Sequence, residues 1–141
     1  MRWVTREHVK VDRVACPWLI KKFIDPAAEF VFVPADRISE TQGTPFDAPS
    51  VELGHHEGKC SFEAIIKKYN IIDPAVLELA KIVHAADVSS DRDSAPEGRG
   101  LEAIASGFGK ICKDDQEILE KEFIIYDALY AYCTAKLEKK G

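Results

Sequence analysis

The chain has 141 residues, 46% of them hydrophobic and 30% charged, enough for one domain with its own core and too apolar for a disordered segment. Its formal net charge of -5 argues against direct nucleic-acid binding and against an anionic membrane surface, both of which call for basic patches. No apolar run reaches transmembrane length and residues 1–10 carry no signal-peptide core, so the expected location is the cytoplasm.

Arg2 to Thr5 is a short β-prone start. Pro17 to Ile24 reads as a helix, with Pro17 at the first helical position, where its missing N–H costs nothing. Asp25-Pro26 ends it, because a residue before proline avoids helical angles. Phe30 to Val33 is a compact apolar run that reads as a buried strand. Residues 36–50 read as a loop, with Pro45-Phe46-Asp47 as an anchor, and Val51 to Leu53 as a second strand. Ser61 is the expected cap of a helix ending near Asn70. Asp73-Pro74, a cap followed by proline, starts a helix running to about Asp87. Residues 89–99 look loop-like, and a helix follows over about Leu101 to Cys112. Asp114 with Glu117 makes a capping-box pattern for a last long helix, about Asp115 to Lys139. Strands early and helices late predict a single α+β domain over residues 1–141, predominantly helical, with a small sheet from the N-terminal half.

The four cysteines, Cys16, Cys60, Cys112 and Cys133, form no CxxC pair, which argues against a zinc ribbon. They read as thiols, with Cys112 and Cys133 in apolar helical patterns as core residues.

Chemistry is sought where polar residues break these patterns. In the helix from Asp73, residues Val76, Leu79, Ala80 and Val83 share an apolar face, yet Asp87 falls in its middle and His84 at its edge. A buried carboxylate needs a cation, a metal or several N–H donors. Two readings stay open for Asp87: a helix-end residue bonded to an arginine or to backbone, or part of a polar site with His84. Gly54-His55-His56-Glu57-Gly58 is the second break. Adjacent side chains in an extended segment diverge, so one of His55 and His56 is expected to face inward. The third is residues 8–18, where His8 and Asp12 alternate with valines on one side of an extended segment. Cys16 precedes the expected helix start at Pro17, where free N–H groups favour anions, and Arg13 offers a bidentate anion contact. Against this stands a packed Cys16 and a local Asp12–Arg13 salt bridge. GxGxxG, P-loop, GxSxG and HExxH patterns are absent.

The same segments carry a family resemblance. The runs EHVKVDRVACPWLIKKFIDP at 7–26, FVFVP at 30–34, PFD at 45–47, ELGHH at 52–56, CSF at 60–62, AAD at 85–87 and YDALY at 126–130 resemble the C-terminal domain of ChrB. The resemblance implies a tie to bacterial chromate resistance and to chromate-responsive control of an efflux operon. It also implies an additional N-terminal region in full-length relatives, which the expected stand-alone domain lacks. It brings no set of catalytic residues with it.

The expected function is a ligand- or metal-binding domain linked to chromate or oxyanion stress, with a regulatory role as one form. His8, Asp12, His55, His56, His84 and Asp87 are the candidate metal ligands, and Arg13 and Cys16 the candidate anion contacts. Imidazole with carboxylate suits zinc, iron or manganese better than calcium. The expected partners are a metal ion and a small oxyanion. A homo-oligomer stays open. The alternatives are a metal-dependent enzyme, hydrolytic or redox, using the same residues, and a partner-binding module whose polar clusters are solvated.

Overall fold

A computed structural model describes residues 1–140. Strand β1 (Arg2–Arg6) leads into helix α1 (Asp12–Phe23) and strand β2 (Glu29–Val33), a single βαβ crossover. A 3-10 segment (Ala35–Glu40) leads to the short strand β3 (Thr44–Pro45). The three strands form one parallel sheet in the order β2-β1-β3, with Trp3 opposite Phe30 and Thr44. Helices α2 (Ser61–Lys68), α3 (Pro74–Asp87), α4 (Glu97–Ile111) and α5 (Asp115–Lys140) complete the chain, with a 3-10 turn at Ser89–Asp91. The α+β expectation, mostly helical with a small sheet from the N-terminal half, describes this architecture.

Helix α3 follows its sequence signals. The Asp73 carboxylate accepts from the Ala75 and Val76 N–H groups at 2.8 and 3.2 Å, and Pro74 takes the first position. Val76, Leu79, Ala80 and Val83 are buried as expected. So are Ala75, Ile82, Ala85 and Ala86, because α4 and α5 both pack on this helix. Gly98 makes the α4 approach close: a Cβ there would meet the Ala85 Cβ at 2.6 Å. The last helix starts as a variant of the capping box. Asp114 accepts from the Glu117 N–H, but the Glu117 carboxylate reaches the Lys113 N–H, one residue before the cap.

Three local expectations need correction. Helix α1 begins at Asp12, so Pro17 lies inside it. The cost of an interior proline is offset by the burial of Val14, Ala15, Trp18, Leu19 and Ile20. Residues 51–53 form a turn, and the third strand is Thr44–Pro45. Helix α2 is capped by Cys60, and Ser61 is its first residue.

The core runs between the sheet and the helices through Trp3, Trp18, Phe46, Phe62, Leu79 and Tyr126. Cys133 belongs to it, Cys112 is half-buried against it, and all four cysteines are free thiols. No helix among the described residues is long and apolar enough to cross a membrane.

Candidate functional site

The site is organised by the first turn of α2. A helix leaves its first N–H groups without intrahelical partners. Here a carboxylate from another helix takes two of them. Asp12 Oδ2 accepts from the Ser61 N–H at 2.7 Å, and Oδ1 from the Phe62 N–H at 3.1 Å. The Cys16 thiol, one turn along α1, donates to Asp12 Oδ1 at 3.4 Å. Asp12 is buried, so desolvation raises its pKa, with the Asp47 charge adding to it and His55 opposing.

Asp47 comes from the loop after β3, held at a positive φ of 45°. Its Oδ1 accepts from the Ser61 hydroxyl at 2.6 Å. Its Oδ2 faces Arg13 at 3.3 Å and Arg6 at 3.5 Å. Burial works to raise its pKa, but the His55 and Ser61 donors and the two guanidinium groups outweigh it. The carboxyl is held below the usual range.

His55 Nε2 lies at the meeting point, 2.9 Å from Asp87 Oδ2, 3.3 Å from Asp12 Oδ2 and 3.5 Å from Asp47 Oδ1. Hydrogen bonds to Asp12 and Asp47 push the imidazole pKa up to about 10, against partial burial. Asp87 is pushed up to about 7 by burial and by repulsion from Asp12 and Asp47. These residues border a cavity of about 210 Å³ whose wall also includes Lys10. The turn that presents His55 is closed by His56 pairing with Lys59, with Glu57 and Gly58 both at positive φ. That backbone sign is that of a type I′ turn, which glycine accepts without strain.

The candidate residues separate into groups. Asp12, His55 and Asp87 come together, their ligand atoms within 4.8 Å of one another. His56 points the other way and bonds the Val51 and Glu52 carbonyls through Nε2, at 2.9 and 2.8 Å. One of the two histidines therefore faces inward, though from a turn, not a strand. His8 has a positive φ and a side chain 89% exposed, since the chain bends there before α1 begins. It contributes only its carbonyl, which accepts from Arg13 Nη2 at 3.0 Å. Arg13 has both terminal nitrogens committed, to His8 and Asp47, and its buried Nε has no hydrogen-bond partner among the described residues. Cys16 does not stand at a helix start. It is buried inside α1, and desolvation with the Asp12 charge raises its thiol pKa. A group this far from ionisation, with no exposed N–H beside it, offers an anion nothing. His84 belongs to another cluster, with Glu63 Oε1 on Nδ1 and Asp91 Oδ2 on Nε2, each at 2.7 Å.

Sequence reasoning passed over Asp47 as a ligand-type residue, along with Ser61, Glu63 and Glu122. Asp47 and Ser61 acquire their roles only when the β3 loop closes on α2. Glu63 resembles any first-turn acid. Glu122 carried a signal: it falls in the apolar period of Ile118, Leu119 and Tyr126. It is fully buried, neither oxygen has a partner among the described residues, and burial pushes its carboxyl up to about 7. The neighbouring Tyr126 hydroxyl is committed to the Val11 carbonyl, just before Asp12.

Comparison with known proteins bears on the whole domain. The family model described as "ChrB, C-terminal domain" matches residues 3–133. Protein ChrB of Cupriavidus metallidurans is 31% identical over 132 residues, which cover 93% of this chain and 40% of that relative. The chain thus spans about 40% of the length of the curated relative it matches. No solved structure matches. The chain belongs to the family of the ChrB C-terminal domain.

Proposed function

We propose that this domain binds a divalent transition metal through His55 and Asp87, with Asp12 and Asp47 behind them, and that it serves a chromate-stress response. One observation carries the metal reading. A single imidazole nitrogen, Nε2 of His55, faces carboxylate oxygens from three separate segments at 2.9, 3.3 and 3.5 Å. One N–H satisfies one acceptor well, so the cluster holds more anionic oxygen than its proton can serve. A divalent cation resolves such an excess. A donor set rich in carboxylate, with one imidazole, favours manganese or ferrous iron over zinc.

The parts differ in availability. Asp12 is committed to the start of α2 and Asp47 to Arg13, Arg6 and Ser61, so both act mainly to fix the charge around the cavity. His55 and Asp87 are the more exposed members, with side chains 49% and 19% exposed, against 2% for Asp12 and 4% for Asp47. The chromate link is supported by family membership. Arg6 and Lys10 line the same cavity, so an oxyanion entering it would meet cationic side chains beside the metal position.

A metal-dependent enzyme is the second reading. Asp87, held at about 7 beside an accessible cavity, is suited to accept and return a proton near neutrality.

Elemental analysis of untagged protein, reconstituted separately with manganese, ferrous iron and zinc, tests the metal reading. The expected result is a stoichiometric metal in the native chain and its loss in His55→Ala. Absence of metal from the native chain under all three conditions would overturn it.

A further inference from the structure

The second polar cluster lies at the same helix start as the first, with different chemistry. Cys60 caps α2, and its own N–H donates to Glu63 Oε1 at 2.9 Å. The Cys60 thiol donates to the same oxygen at 3.3 Å. That oxygen also lies 2.7 Å from His84 Nδ1, reaching across from α3. A sulfur, a carboxylate oxygen and an imidazole nitrogen therefore converge from two helices, all within 4.8 Å of one another.

A second observation concerns the far side of the imidazole. His84 Nε2 is held by Asp91 Oδ2 at 2.7 Å, from the 3-10 turn that follows α3. A carboxylate on the outer ring nitrogen fixes the tautomer and orientation of a metal-binding histidine and raises the basicity of the inner nitrogen. With the proton on Nε2, the Nδ1 lone pair faces Glu63 and Cys60. An ordinary capping arrangement needs Glu63 but calls for neither the thiol nor a histidine braced from behind. Of the three, Glu63 also lines a cavity of about 640 Å³, together with His56, Glu57 and Lys59.

We propose that Cys60, Glu63 and His84 form a second metal site, selective for zinc or another borderline divalent ion, distinct from the oxygen-rich site at His55. Three protein ligands of sulfur, nitrogen and oxygen type leave a fourth tetrahedral position for water. Binding displaces the Cys60 proton to solvent, and the cation's charge offsets the cost of a buried thiolate. Softness separates the two sites: the thiolate favours zinc, and the carboxylates around His55 favour manganese or ferrous iron.

Cobalt(II) is the probe, because a thiolate ligand gives it a near-ultraviolet charge-transfer band that imidazole and carboxylate do not. Titration of the full reduced chain with cobalt(II) should produce this band, saturating at one equivalent. Zinc should abolish it. Cys60→Ser and His84→Gln should reduce it to baseline, whereas Cys16→Ser, Cys112→Ser and Asp87→Asn should leave it intact. Where Cys60→Ser does not fold, Glu63→Gln supplies the same comparison through a weakened band. A native chain that takes up cobalt without a thiolate band, or a band that survives His84→Gln, overturns the second site. Because Asp87→Asn is expected to keep the band, failure here is separable from failure of the His55 site.

Discussion

Two polar clusters flank the first turn of α2, and they solve opposite problems. On one side Asp12 supplies negative charge to the Ser61 and Phe62 N–H groups, then Asp47 and Asp87 add more than the helix start can use. On the other side Glu63 serves the Cys60 N–H, and His84 balances it at once. The first cluster is crowded with like charge: Asp87 is pushed up to about 7. In the second, burial works to raise the Glu63 pKa, but His84 and the Cys60 donors outweigh it and hold the carboxyl below its usual range. Excess anion in a folded protein marks a place that costs stability until something cationic arrives. Asp12 is tied to the α2 N–H groups, whereas Asp87 is left to the proposed metal, although both are carboxylates bonded to the same imidazole.

Asp12→Ala is the most severe test. It strips two N–H partners from α2 and removes one of the two buried carboxylates that face His55, so a loss of about 3 to 5 kcal/mol is expected in urea unfolding. Both clusters should fail together, since both depend on the α2 start. A loss under about 1 kcal/mol would show that Asp12 does not organise this region.

Glu122 sharpens the comparison from beneath. Its two oxygens have no hydrogen-bond partner among the described residues, and Tyr126 joins its surroundings to Val11. Glu122→Leu should raise stability at pH 8 by about 2 to 3 kcal/mol, since ionising a carboxyl held near 7 against an ordinary 4.5 carries a cost of that order. Lower thermal stability in the variant would mean that the carboxyl has a partner within the fold.

Asp87→Asn should be neutral or stabilising by about 1 kcal/mol at pH 8, because the amide removes repulsion from Asp12 and Asp47. Glu63→Gln should destabilise by about 1 kcal/mol, because it weakens a cap and the His84 pair. Opposite signs in chemical denaturation support the contrast, and equal losses remove it.

The pH profile of the metal-free chain is the gentlest test. Asp87 and Glu122 have folded pKa values near 7, above their ordinary 3.8 and 4.5. Between those values the folded state binds more protons than the unfolded state, so stability falls as pH rises. His55 adds in the same direction: its contribution is complete below 6.5 and is lost as pH climbs to about 10. Asp47 and Glu63, both lowered, contribute stability that is present above their unfolded values and lost as pH falls below them. The maximum should therefore lie near pH 5, on the acid side of neutrality. An Asp87→Asn, Glu122→Gln double variant should flatten the decline between pH 5 and 7, about the span of the two raised carboxyls. A native maximum above pH 8 would contradict the assignment.

Much of this was legible in the sequence where local chemistry decides. Asp73-Pro74 announced its helix, and Asp87 announced itself by interrupting an apolar face. His55 and His56 had to diverge, though which one turned inward was set by the turn at Glu57-Gly58. Pro17 misled, because its preference for a first helical position lost to the burial of the residues around it. That error displaced the helix start by more than a turn and offered Cys16 a place beside free N–H groups, whereas the packed alternative for Cys16 is the one the fold takes. Asp47 and Glu63 could not be read, since they meet partners as far as 41 and 21 residues away.

The most direct measurement is an anomalous-difference map from crystals of the native chain grown with manganese, with data at an energy where manganese scatters anomalously. The account predicts a peak bonded to His55 Nε2 and Asp87 Oδ2, with Asp12 still holding the Ser61 and Phe62 N–H groups. No peak in that cavity at saturating manganese, with His55 still paired to the three carboxylates, would contradict it.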